Sequence, residues 1–511
     1  MIVRILFKED FSMNRKIAKV ITRALILVLV FSMLSSLASC GMFAEKPQYD
    51  LFDSEGLLAV ENEDGEWGYI NKKGKEVIKC KYDSALPFSE GLAAVCEDGE
   101  WGYINKKGKE VIDFKYDSAY PFDKDGFAIV VKDGKYGFIN KDGDFEIKAK
   151  YESLEIFNDF DLCIAKKDGL FGVIDRKGET VVGFKYKRIS SFTDDGYAVV
   201  TDEEGLCGLV DKKGQTVIKV KYDVISAAGD NMFAKNGLVL VGNDGKYGFF
   251  NEKGKQKIDF DFTYASSFAD NGLAVVAEVE DDDEEDSFNL TTAKWGYIDK
   301  SGEYVIDPEF DEARSFAKNG LAAVCEDGEW GYINKKGDYV IDTEFDSASS
   351  FNEETDLATV GIKDKNDEMK YGVINKSGKI VIEAEYDDID IFETCIAAAD
   401  EDTYILFSLS GKEIESYDDI DQATYDCKYL IVANEEEQAI ITSKGKIKFD
   451  FTDEYNIMAI TDDGYVVALD EDGAYVFLKS NGKKAFDTKE SYTSCLPYAY
   501  IDMYFNQDLY Y

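Results

Sequence analysis

Carboxylates are the acid–base groups this chain offers in quantity: 102 Asp and Glu stand against 58 Lys and Arg, with no histidine. The missing imidazole removes Ser-His-Asp and Cys-His nucleophile systems and the commonest transition-metal ligand. No Gly-rich phosphate loop opens a helix, and no Cys-x-x-Cys occurs. A two-carboxylate glycosidase needs only Asp and Glu, so composition permits one. The acids, however, recur in turns, as at Glu97-Asp98 and Glu326-Asp327, where short polar side chains serve turn geometry. The run Glu280 to Asp286, with Glu278 upstream, lacks the spaced ligands of an EF-hand. It reads as a self-repelling loop, with a weak Ca²⁺ site or a contact loop as the alternatives. No catalytic residue, metal ligand or cofactor is assigned from these patterns, and the chain reads as a non-enzyme.

Aromatic rings are the other groups with chemistry to offer, because an exposed ring stacks on sugars. They follow a strict spacing. An aromatic residue precedes glycine at Trp67, Trp101, Tyr136, Phe171, Tyr247, Trp295, Trp330 and Tyr371, and Cys207-Gly208 fills another place in the series. From 67 to 101, 136, 171, 207 and 247 the steps are 34, 35, 35, 36 and 40 residues. Residues Gly91 to Gly108 and Gly320 to Gly337 are the same eighteen letters, GLAAVCEDGEWGYINKKG. Fainter copies around Tyr404, Ala439 and Tyr475 bring the array to about twelve units. All four tryptophans sit at the anchor position, so the repeat placed them. The anchors therefore read first as packing between units and second as sugar-stacking platforms.

Each unit spells out its own elements. An apolar run (Leu92 to Val95) meets Asp98-Gly99, then a second run (Trp101 to Ile104) meets Asn105-Lys106-Lys107-Gly108. Asp-Gly between apolar runs marks a hairpin, since the turn needs positive φ. A third run, Val111-Ile112, and a weak fourth strand near Tyr116-Asp117 complete an expected meander. The runs are short and rich in Val, Ile, Tyr and Trp, and no helical periodicity follows residue 40. The glycine beside the ring is expected to admit a neighbouring backbone or ring. Lys72-Lys73, Lys106-Lys107 and Lys335-Lys336 recur in turns as a candidate basic strip.

The pattern LAAV-x-x-DG-x-WGYI-x-x-x-G-x-x-VI-x-x-x-YD resembles the bacterial WG repeat family over roughly residues 49–488. The resemblance implies a β-rich repeat protein, often secreted or surface-anchored, and brings no catalytic residues. The expected class is all-β: tandem antiparallel meanders, propeller-like, in two propellers of residues 51–262 and 263–488. An extended β-solenoid is the competing form. The aromatic tail, 489–511, is expected to supply a closing or capping strand, with a free tail as the other reading.

Residues 1–39 read as a signal peptide. A basic stretch (Arg15, Lys16, Lys19, Arg23) precedes an apolar core, Ala24 to Leu34, that is short for a membrane span. Leu37-Ala38-Ser39-Cys40 resembles a bacterial lipobox, making Cys40 the lipidated residue and 40–50 a tether. Residues 1–39 hold six Lys/Arg and two Asp/Glu, so removing them takes the chain from −44 to −48. Such charge disfavours nucleic acid. The expected localisation is the extracytoplasmic face of a bacterial membrane, lipid-anchored. The expected role is binding or scaffolding of an extracellular protein, with a cell-wall glycan as the alternative partner. The remaining eight cysteines read mainly as small buried hydrophobes; Cys96 and Cys325 share one repeat position, and Cys163 and Cys395 another.

Overall fold

The computed structural model describes residues 51–279 and 293–496, apart from 402, 423–427, 435–436, 453, 462, 480 and 486–491. Cys40, the segments expected to form a signal peptide and a tether, and the acidic run Glu280 to Asp286 lie outside the described residues. Every described element is a strand, and all strand pairs are antiparallel. Blade 2 shows the common plan. Its first strand is Ser84–Ala85, its second Leu92–Glu97, its third Glu100–Asn105 and its fourth Glu110–Tyr116, hydrogen-bonded in that order. Asp98 (φ 52°) and Gly99 (φ 81°) make the expected hairpin between the second and third strands. Asn105 Oδ1 accepts hydrogen bonds from the backbone N–H groups of Lys107 and Lys109, which shapes the next turn.

One detail differs from the sequence expectation. The third apolar run continues to Tyr116 as a seven-residue strand, and no weak strand lies at Tyr116-Asp117. Asp117 turns the chain, and Ser118–Ala119 opens the next blade's sheet. The preceding equivalent, Asp83, accepts from the Gly99 N–H at 3.0 Å and so pins the next hairpin to this corner.

Twelve such units occur, and a separate apolar cluster fills each junction between neighbours. Leu57, Ala59, Tyr69 and Ile78 of blade 1 meet Ala93, Val95 and Ile104 of blade 2. The junction after residue 262 is built likewise: Leu240, Phe249 and Ile258 meet Ala274, Val276 and Ile298. The expected break between two propellers is therefore absent there. The last junction joins blade 12 to blade 1, where Val467 and Phe477 pack with Leu51, Phe52, Leu58 and Val60. The strand Tyr492–Leu496 pairs with Leu57–Asn62 and completes the first sheet, so the tail does supply a closing strand. The result is one closed ring of twelve propeller-like blades, not two rings and not an open solenoid. Two half-rings would each have needed their own closing strand, whereas every interface here is satisfied by the next blade in sequence.

Candidate functional site

The anchors were the residues singled out for function, and the structure explains the pair they form with glycine. Each anchor stands opposite the last residue of the fourth strand: Trp67 faces Tyr82, Trp101 Tyr116, Tyr136 Tyr151 and Phe171 Tyr186. Tyr247 faces Phe262, Trp295 Phe310, Trp330 Phe345 and Tyr371 Tyr386. Two residues further along, Tyr103 faces Ile112, so two residues of the third strand are matched by four of the fourth. The fourth strand bulges across the glycine between them. A Cβ built on Gly102 would meet Ile112 O at 2.8 Å, and one on Gly331 would meet Ile341 O at 2.7 Å. The close neighbour is thus the backbone of the same blade, not a ring of the next.

All eight anchors rest on the apolar cluster between their own blade and a neighbour. Seven are half-buried, and Trp330 is 8% exposed. The Arg314 guanidinium lies over Trp330, 5.1 Å from the ring centroid, and accounts for that deeper burial. Trp295 tilts against Tyr264 at 4.9 Å. The anchors do not converge: each marks its own blade.

Two residues after the anchor, a buried tyrosine ties one blade to the next. Tyr69, Tyr103, Tyr297 and Tyr332 donate to the carbonyls of Leu86, Tyr120, Arg314 and Ser349, at 2.6–2.8 Å. Their rings pack on Phe88, Phe122, Phe316 and Phe351 at 4.7–4.9 Å. Burial drives the tyrosine hydroxyls well above their ordinary pKa, so they remain donors.

Charged side chains repeat the theme. Lys106 pairs with Glu55, Lys141 with Glu90 at 2.9 Å, and Arg176 with Asp125 at 2.6 Å, each joining a turn to the preceding blade. The candidate lysine strip is thus partly spent on blade-to-blade pairing. Arg176 stands where those other turns carry lysine. Its Nε donates to Asp161 at 2.6 Å, and its guanidinium stacks over Phe157 (4.7 Å) and Phe127 (5.2 Å). The planar fork allows this double use. Sequence reading passed over it, although an arginine among turn lysines was the visible sign.

Buried acids form a second group missed in the sequence. Asp53 is 4% exposed; its Oδ1 accepts from Glu55 and Leu57 N–H and its Oδ2 from Phe88 N–H across the junction. Burial outweighs those bonds and pushes its carboxyl up to about 6. Asp195 in Thr193-Asp194-Asp195-Gly196 accepts from Met232 and Phe233 N–H of the next blade. Asp463, in the same motif beginning at Thr461, accepts from Leu51 N–H at 3.2 Å. The bond that seals the ring is therefore a copy of one inside it.

Cys96, Cys207, Cys325 and Cys395 are free thiols. Burial raises Cys96 and Cys325, and lifts Cys395 to about 11, which leaves these sulfurs poor nucleophiles. Cys96 and Cys325 do share a position, opposite Trp101 and Trp330. Cys163 and Cys395 do not: Cys163 faces Ile174, while Cys395 faces the turn-opening Ser408, one place earlier in the unit. Among the described residues no three Cys, Asp or Glu gather as a metal site would require.

The WG containing repeat family matches residues 67–101, 101–136, 136–171, 171–205, 208–247, 247–278, 295–330, 330–365 and 371–394, over half the chain. The chain is a WG-repeat protein. The search of curated proteins gives no match. Among solved structures, the WG-repeat ring is similar to a eukaryotic initiation factor at 11% identity and TM-score 0.36, over 62% of this chain and 94% of that one. It is also similar to Kluyveromyces lactis Hsv2p, at 14% identity and TM-score 0.28 over 50% and 92% of the two chains. For Saccharomyces cerevisiae Sqt1 the values are 10%, 0.27, 58% and 95%.

Proposed function

We propose that this WG-repeat ring is a non-enzymatic binding or scaffold module, held by a lipid on Cys40 at the extracytoplasmic face of a bacterial membrane. The observation that carries the reading is uniformity. Polar groups able to do chemistry recur from blade to blade as turn formers, hairpin pins and blade clamps. Repetition of this kind suits display to an extracellular protein. The lipobox at residues 37–40 supports the anchoring half of the proposal.

The experiment has two arms. Cys40→Ala is expected to release the protein from the membrane fraction and to abolish labelling by a radioactive fatty acid; retention with full labelling overturns the anchor. Proximity labelling from the ring on intact cells is expected to mark the same extracellular protein repeatedly. Hydrolytic activity of the purified ring on a glycan panel overturns the non-enzymatic reading.

A second reading takes its support from the half-exposed rings of Trp67, Trp101 and Trp295. An aromatic face of that kind stacks on a sugar, which makes a cell-wall glycan the alternative partner. Peptidoglycan pull-down that survives Trp67→Ala, Trp101→Ala and Trp295→Ala removes that reading.

A further inference from the structure

The fourth strands carry a sorted charge pattern that the repeat itself does not require. In each of the first nine blades the fourth strand is seven residues long, lies at a sheet edge, and points its fourth and sixth residues away from the buried junction. In blades 1, 3 and 5 these residues are Lys79 and Lys81, Lys148 and Lys150, and Lys219 and Lys221, all exposed. Blades 2 and 4 keep lysine at the sixth place, Lys115 and Lys185. From blade 6 the sign reverses: Asp259 and Asp261, Asp307 and Glu309, Asp342 and Glu344, Glu383 and Glu385, again all exposed. Lys81 is engaged with Glu97, and Lys115 lies 3.8 Å from Asp113. Lys148, Lys150, Lys219 and Lys221 form no ion pair among the described residues.

Charges on an edge strand protect it from unwanted pairing. That purpose explains charge, but either sign serves it. Apart from Asp113 at the fourth place of blade 2, the charged residues at these places are lysines in five consecutive blades and acids in the next four, which gives the ring one basic and one acidic arc. The same two positions of equivalent strands hold both signs, so the two arcs share one spacing. Exposed valines at the second place, such as Val77, Val111, Val305 and Val340, add apolar contact to both arcs.

We propose that the fourth strands form the outer rim and that the basic arc of one ring docks on the acidic arc of a second copy of this chain. A polyanion would occupy the lysines and leave the acidic arc without a purpose; a second copy uses both. The overall charge of −44 opposes the encounter at low salt. At about 0.1 M salt screening acts over roughly 10 Å, so the facing rows dominate and the far sides of the rings no longer repel. The contact is head-to-tail, and it leaves a free acidic arc on one ring and a free basic arc on the other, so assembly extends beyond two copies.

The test uses the full chain carrying Cys40→Ala, so that no acyl group drives assembly. Sedimentation is expected to show concentration-dependent association at about 0.1 M salt and its loss near 1 M, where screening reaches about 3 Å. Reversing Lys148, Lys150, Lys219 and Lys221 to Glu is expected to weaken self-association by about tenfold or more. A second variant, Asp342→Lys, Glu344→Lys, Glu383→Lys and Glu385→Lys, is expected to fail alone and to associate when mixed with the first. That rescue also shows that both variants are folded. Wild-type rings that stay monomeric at about 0.1 M salt overturn the proposal. So does self-association unchanged by either reversal, or lysine-dependent binding to heparin or anionic vesicles without self-association.

Discussion

Blades 1–9 and blades 10–12 solve the same packing problem with different backbones. In the first nine, two residues of the third strand face four of the fourth, and the residue under the bulge is glycine. In blade 10 the fourth strand, Glu413–Tyr417, is two residues shorter. Tyr404 faces Tyr417 and Leu406 faces Glu415, so the surplus across the glycine's place is gone and a shift remains only between Leu406 and Phe407; Ile405 occupies that place. Blade 11 is intermediate: Gln438 faces Thr452 and Ile440 faces Phe449, a surplus of one residue, and the place is taken by Ala439. Blade 12 has Val476 there, and on that side Tyr475 pairs with Tyr492 and Leu478 bridges to Lys484. Side-chain size at one position thus follows the number of surplus residues passing over it. The fading of the motif toward the C-terminus is a loss of the bulge, not of the blade.

The largest expected effect tests that rule. Gly331→Ala places a Cβ against Ile341 O and is expected to cost about 2–4 kcal/mol in denaturant unfolding. Ala439→Gly, in the flatter blade, is expected to cost only about 1 kcal/mol, the ordinary price of glycine in a strand. Equal costs at both places break the comparison. Inserting two residues into Glu413–Tyr417 is expected to be tolerated only together with Ile405→Gly, a coupling that a double-mutant cycle measures.

Blade 1 differs from its neighbours in burying Asp53, and pH separates the two. An unfolded carboxyl titrates near 3.8 and this one at about 6. Between those values the native state holds a proton that the unfolded chain has released. The contribution of Asp53 is therefore full below about pH 4 and is lost as pH rises through 6. Asp53→Asn is expected to remove a decline of about 2–3 kcal/mol across that window relative to wild type. Parallel stability–pH curves for the two proteins break the assignment.

Asp195 and Asp463 sharpen the comparison between an internal junction and the seam. Replacing either with Ala is expected to cost about 1–3 kcal/mol by leaving N–H groups of the next blade unpaired. Only Asp463→Ala is expected to raise hydrogen exchange at Leu51–Leu57. The smallest effect belongs to Tyr103→Phe, about 1 kcal/mol from one lost bond to Tyr120 O. The junction containing Val173 has no such hydroxyl, so its exchange rates are expected to stay unchanged.

Much of this was legible in the letters. Asp98-Gly99 forms the turn its φ requirement dictates, and the count of twelve units stands. The unit boundary was harder to read. Ser118-Ala119 are two small residues with no strand-like pattern, and only pairing with Val130 and Val131 makes them a strand. The tail's role as a closing strand could be anticipated, but the closure of all twelve blades into one ring could not: it also depends on Asp463, whose partner lies 412 residues away. The reason for the glycine was out of reach too, because the crowding comes from a bulge, and strand surplus is not visible until register is known.

The strand that completes the first sheet is made after every other described strand. During synthesis the segment Leu57–Asn62 keeps one flank of its backbone open while eleven further blades take shape. Pairing with another molecule's tail offers that flank the same hydrogen bonds as pairing with its own. Exchange of residues 492–496 between two unfinished chains is thus the error to which this architecture is most exposed.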